Sequence, residues 1–87
     1  MNKKQSRTYS RIFENPVASD IEWKDIENLF LSLGAEISEG SGSRIRVKLN
    51  GERAVFHRPH PEGFTDKGAV KSVRQFLLNA GVRHDGA

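Results

Sequence analysis

Asn50-Gly51 constrains this chain more than any other pair of residues. Before it, Arg44-Ile45-Arg46-Val47-Lys48-Leu49 alternates charged and apolar for six residues, the pattern of a half-buried strand. After it, Arg53 to His57 reads as a returning strand. A two-residue type I′ turn needs positive φ at both central positions, and Asn-Gly is the dipeptide that meets this at least cost. The turn therefore predicts a register: Leu49 opposite Glu52, Lys48 opposite Arg53, Val47 opposite Ala54, Arg46 opposite Val55, Ile45 opposite Phe56 and Arg44 opposite His57. Paired residues share a face, with side chains about 5 Å apart. Ile45, Val47, Ala54 and Phe56 are then expected to face a core. Arg44, Arg46, Lys48, Arg53 and His57 are expected on the opposite face.

The remaining elements fit around this hairpin. Tyr9, Ile12 and Phe13 make one apolar stripe of a short helix over Ser6 to Glu14, stopped by Asn15-Pro16. Residues 1–5 are polar and are expected to be disordered. Trp23, Ile26, Leu29, Phe30 and Leu33 follow the 3.6-residue period of a second helix. Asp20 or Glu22 favours its start, and Gly34 is placed to end it. Ala35 to Glu39 alternates as a first strand, followed by the flexible turn Gly40-Ser41-Gly42-Ser43. Pro59 and Pro61 break the ladder after the third strand. A last helix is expected over Asp66 to Ala80, capped by Thr65 or Asp66, buried along Val70, Val73, Phe76, Leu77 and Ala80, and ended by Gly81. The order is that of an α+β domain, with helices on one face of a small three-stranded antiparallel sheet.

Composition narrows the chemistry. With 87 residues, one small domain is expected, over 6–82 with a polar tail at 83–87, and little apolar area is available to build a deep cofactor cleft. No cysteine is present, which excludes disulfides, thiolate zinc sites, iron–sulfur clusters and a thiol nucleophile. No apolar run reaches the ~18 residues of a membrane span. The start is basic but lacks the apolar core of a secretion signal, so a cytoplasmic protein is expected, with no membrane and no small-molecule cofactor as partner. The net charge of +3 leans toward an anionic partner.

His57-Arg58-Pro59-His60-Pro61 is the densest chemical signal. Histidine takes and returns a proton near neutral pH, and guanidinium binds phosphate bidentately. Together they can cut RNA without a metal: a base removes the 2′-hydroxyl proton, a cation stabilises the transition state, and an acid protonates the leaving oxygen. Other readings stand beside this one. The cationic face can serve solubility and blunt an edge strand. His57, His60 and His84 can be weighed as a zinc site, although no cysteine completes it. His60, between prolines, can simply bond a turn, and His84 falls in the polar tail. Lys67, Lys71 and Arg74 fall on one stripe of the last helix, either a second RNA contact or a solvated face. Trp23 reads as core, sharing a stripe with Ile26 and Phe30, in preference to a base-stacking platform.

From about Ile21 to Val82 the chain resembles the HicA, or YcfA-like, toxins of type II toxin–antitoxin modules. The likeness rests on Leu31-Ser32-Leu33-Gly34-Ala35, on Gly42-Ser43 before an alternating strand, and on the Asn50-Gly51 hairpin. It continues through His60-Pro61 and Lys67-Gly68-Ala69-Val70-Lys71-Ser72-Val73 to Ala80-Gly81-Val82. It implies a fold like that of double-stranded RNA-binding domains, metal-independent cleavage of messenger RNA, and neutralisation by a HicB-type antitoxin. The family's histidine usually follows Gly-Ser directly; here Arg44 stands in that place. The register offers His57 as the histidine moved one strand over. The expected catalytic residues are His57, His60 and Arg44. Arg46, Lys48, Arg53, Arg58, Lys67, Lys71, Gly42 and Ser43 are expected to bind RNA, and no residue to bind a metal. Two other classes remain in view: an RNA-binding module that does not cut, and a module that binds only an acidic partner or its antitoxin.

Overall fold

The computed structural model describes residues 1–61 and 63–82. The chain runs α1 (Lys3–Ile12), α2 (Trp23–Ser32), β1 (Glu36–Glu39), β2 (Arg44–Leu49), β3 (Glu52–His57) and α3 (Lys67–Asn79). The strands form one antiparallel sheet in the order β1-β2-β3. Asn50 and Gly51 take φ values of 50° and 84°, both in the left-handed region that the tight turn requires. All six expected β2–β3 pairs are present, from Leu49 opposite Glu52 to Arg44 opposite His57.

The inward residues of that register make the core. Ile45, Val47 and Phe56 are buried and Ala54 is half-buried. Phe56 stacks on Phe30 at 5.7 Å between centroids, Phe76 meets both rings edge-on at 5.7 and 5.8 Å, and Trp23 closes on Phe56 at 5.9 Å. Such ring pairs add to the burial of their large apolar area. This aromatic cluster joins α2 and α3 to the end of β3. Trp23 is therefore core, as its helical stripe implied.

Both α2 and α3 end as their glycines predict. Gly34 and Gly81 adopt φ of 88° and 73°. Each then places paired backbone bonds on the last helical carbonyls: Ala35 N–H to Phe30 O and Gly34 N–H to Leu31 O, Val82 N–H to Leu77 O and Gly81 N–H to Leu78 O. This is the Schellman closure. The N-terminus of α3 is capped by the Asp66 carboxylate, which accepts from Ala69 N–H at 2.8 Å. Glu22 sits at the cap of α2 but makes no side-chain cap, and Asp20 is drawn away to pair with Arg11. Backbone meets the first helical donor instead: Trp23 N–H donates to Gly63 O at 3.0 Å. Beside it Thr65 N–H donates to Ile21 O at 2.8 Å, which holds the entry to α2 against residues 63–65.

The N-terminal helix departs from expectation. It begins at Lys3, not Ser6, and ends at Ile12. Residues 2–5, expected to be disordered, carry a capping box: Gln5 N–H donates to Asn2 Oδ1 and Asn2 N–H to Gln5 Oε1, both at 2.9 Å. Two otherwise orphaned donors are satisfied reciprocally, which offsets the weak burial of this polar turn. Tyr9 and Ile12 are buried as expected, and Phe13 stacks on Tyr9 at 4.7 Å.

Candidate functional site

The sheet has one face under helices and one open face. Alternation along β2 and β3 sends Arg44, Arg46, Lys48, Arg53, Val55 and His57 to the open side, and all six are exposed. From β1, Glu36 lies beside Lys48 and Ser38 beside Arg46. Among the described residues no carboxylate forms an ion pair with Arg44, Arg46, Lys48 or Arg53. Lys48 directly faces Arg53, an unfavourable pairing that an anion would relieve.

At one end of this face Arg44 Nε donates to His57 Nε2 at 3.3 Å. In this contact Nε2 is the acceptor, so its lone pair is aimed at the guanidinium. The structure thus joins the arginine that stands after Gly42-Ser43 to the histidine across the strand pair. A proton acceptor and a phosphate-binding fork meet on open surface, within one cross-strand spacing.

Arg58 departs from its expected place. It is one residue beyond His57, so the alternation turns it back toward the helices. Its Nε and Nη2 donate to the Glu27 carboxylate at 2.8 and 3.0 Å. Its Nη1 and Nη2 donate to the Glu39 carboxylate at 2.7 and 2.9 Å. Hydrogen bonds from Arg58 hold the Glu27 carboxyl below its ordinary range, against the opposing effect of burial, with Trp23 Nε1–H as a further donor. The same two carboxylates hold the Arg58 guanidinium above its ordinary range. Four of its N–H donations are thus taken by the two carboxylates. Glu27 and Glu39 were not legible as site residues, although the parity of Arg58 was a signal that it points inward.

His60 is exposed in a different setting. With Gly42, Ser43 and Arg58 it lines an open groove against Trp23, Asn28 and Leu31 of α2. Arg58 N–H donates to Ser43 O at 2.9 Å, and Ser43, which lines the groove, leads directly into Arg44. Lys67 and Lys71 are exposed on α3, in the helical layer. Arg74, expected on the same exposed stripe, instead donates to Ile12 O at 3.0 Å and Glu14 O at 2.9 Å, with its guanidinium 5.7 Å from the Phe13 ring centre. His84, weighed for zinc, and the polar tail at 83–87 lie outside the described residues. Among the described residues no three His, Cys, Asp or Glu side chains cluster to hold a metal ion, and no helix is long and apolar enough to cross a membrane.

The chain is thus a small α+β domain with helices on one side of its sheet and a cationic face open on the other. The family model described as HicA toxin of bacterial toxin-antitoxin matches residues 23–82, from the first residue of α2 to just past α3, and the chain belongs to that family. It is a HicA toxin of a toxin–antitoxin system, which implies a cognate antitoxin partner. No curated protein and no solved structure matches the chain.

Proposed function

We propose that this HicA toxin is a metal-independent endoribonuclease that cuts messenger RNA in the cytoplasm, and that a HicB-type antitoxin neutralises it by covering the open sheet face. The contact between Arg44 Nε and His57 Nε2 carries the reading. When an RNA phosphate arrives, Arg44 turns its N–H from the imidazole to a phosphoryl oxygen, and this frees the Nε2 lone pair. His57 then takes the 2′-hydroxyl proton. The 2′-oxygen bonds to phosphorus, the bond from phosphorus to the 5′-oxygen breaks, and Arg44 stabilises the charge on the phosphoryl oxygens. The products are a 2′,3′-cyclic phosphate and a 5′-hydroxyl, with the leaving oxygen protonated by an acid. His60, which lines the neighbouring groove with Gly42 and Ser43, is the candidate acid. Arg46, Lys48 and Arg53 hold flanking phosphates along the face.

The test is induced expression in a bacterial host, with growth and RNA ends followed for wild type, His57→Ala and His60→Ala. Wild type arrests growth and leaves new RNA ends, and His57→Ala loses both. Undiminished toxicity of His57→Ala overturns the assignment. Tight, salt-sensitive RNA binding with no new ends favours the module that binds without cutting.

A further inference from the structure

His57 lies between two residues that point the other way. Phe56 is anchored in the aromatic cluster with Phe30, Phe76 and Trp23. Arg58 is anchored by both carboxylates, one from α2 and one from the end of β1. Its backbone N–H continues the β2–β3 ladder to Ser43 O, the carbonyl just before Arg44. One residue, the next in the chain after His57, therefore ties together α2, β1, the start of β2 and the end of β3. A forked guanidinium with four donations to two carboxylates has a fixed orientation that an ammonium cannot reproduce.

We propose that Arg58 is a positioning residue, clamped by Glu27 and Glu39 so that His57 and Arg44 face each other, and that it does not touch RNA. The proposal rests on the ribonuclease reading for its catalytic consequence, but the clamp itself can be read without cleavage. Arg58 does its work from the helix side of the sheet, while phosphate is held on the open side. A charge that is already satisfied by two carboxylates releases few counterions when RNA binds, so it adds little to the salt dependence of affinity.

The experiment compares wild type with Arg58→Gln, Arg58→Lys and Glu39→Gln. Glu39 is largely exposed at the rim, so its variant carries little risk to folding. Three quantities are measured: the slope of log affinity against log salt for a single-stranded RNA, the kcat and KM of cleavage, and the imidazole resonances of His57 without RNA. The clamp predicts an unchanged slope in all variants and shifted His57 resonances in Glu39→Gln and Arg58→Lys. It predicts kcat lower by roughly 10- to 100-fold, with KM held, as expected when a reacting group is misplaced. A slope reduced by about 0.7 in Arg58→Gln marks a lost phosphate contact and overturns the proposal. Unmoved His57 resonances in Glu39→Gln and Arg58→Lys overturn it too. If wild type does not cleave, the ribonuclease reading fails, while the slope and the resonances still decide the clamp.

Discussion

The side-chain amide of Asn50 donates to the carbonyl of Ala80 at 2.8 Å, tying the β2–β3 turn to the end of α3. One residue thus sets the sheet register and closes a helix 30 positions away. The carbonyls at a helix C-terminus lack intrahelical donors, and this amide supplies one. Asn50→Gly keeps the positive φ and loses the bond, so it is expected to cost about 1 kcal/mol in urea unfolding. Asn50→Asp keeps the turn preference but sets an acceptor against an acceptor, and it costs more than Gly. A Gly variant as stable as wild type would show that the bond contributes nothing.

The cross-strand pair makes a second prediction. If the histidine has moved from the strand start to its partner position, the pair should tolerate exchange. His57→Arg alone removes the base and lowers cleavage by roughly 100-fold or more. His57→Arg combined with Arg44→His restores an imidazole and a guanidinium to the same two sites. Recovery of at least part of the cleavage in the double variant is the expected result. A double variant as inactive as the single one shows that the two sites are not interchangeable.

Much of this site was legible because Asn50-Gly51 leaves no freedom in register: a slip of one residue would bury Arg46 and expose Val47. Helix ends were legible for the same local reason, since Gly34 and Gly81 fill positions that penalise a side chain. What escaped was tertiary. Arg58 reads as one more cation in a basic run until Glu27, 31 residues earlier, is brought beneath it. Arg74 shares a helical stripe with Lys67 and Lys71, but periodicity within α3 cannot show that α1 ends beside it. The early start of α1 is a different kind of miss. Polar composition suggested disorder, whereas Asn2 and Gln5 have the spacing of a reciprocal cap.

Salt dependence separates the open face from the helical layer. Arg46, Lys48 and Arg53 have no carboxylate partner among the described residues and lie on one surface. Replacing each by Gln is expected to reduce the salt slope of single-stranded RNA binding by about 0.7. Lys67 and Lys71 lie on α3, across the sheet from that face, and Lys71→Gln is expected to leave the slope unchanged. A drop for Lys71→Gln, with none for Arg46→Gln, would move the RNA to the helices.

The Glu27–Arg58 pair predicts how stability falls in acid. Arg58 depresses the Glu27 carboxyl in the folded state below its ordinary value of 4.5. Its contribution is therefore complete above pH ~4.5 and is lost as pH falls through the folded value. Urea midpoints of wild type and Glu27→Gln should differ most near pH 7 and converge only once pH has fallen below the depressed folded value, where both side chains are neutral. A difference that persists unchanged down to the acid unfolding of both proteins would assign the loss to packing against Trp23 instead of to charge.

Arg74 predicts how α1 is held. Its guanidinium donates to the carbonyls of Ile12 and Glu14 and covers the face of Phe13, so it serves as a C-terminal cap supplied by another helix. Lysine has a single ammonium on a flexible stem and cannot bridge both carbonyls while lying flat on the ring. Arg74→Met keeps most of the apolar stem and removes every donor, with an expected cost of roughly 1–3 kcal/mol for the unsatisfied carbonyls and the lost ring contact. Tyr9 hydroxyl still reaches Val82 O at 3.3 Å, so α1 should loosen without leaving. Amide exchange is the discriminating measurement. It should accelerate over Lys3–Ile12 in Arg74→Met, while Ile45, Val47 and Phe56 in the sheet keep their protection relative to global stability. Uniform acceleration across helix and sheet would mean that α1 and the sheet unfold as one unit and that Arg74 supports the whole core.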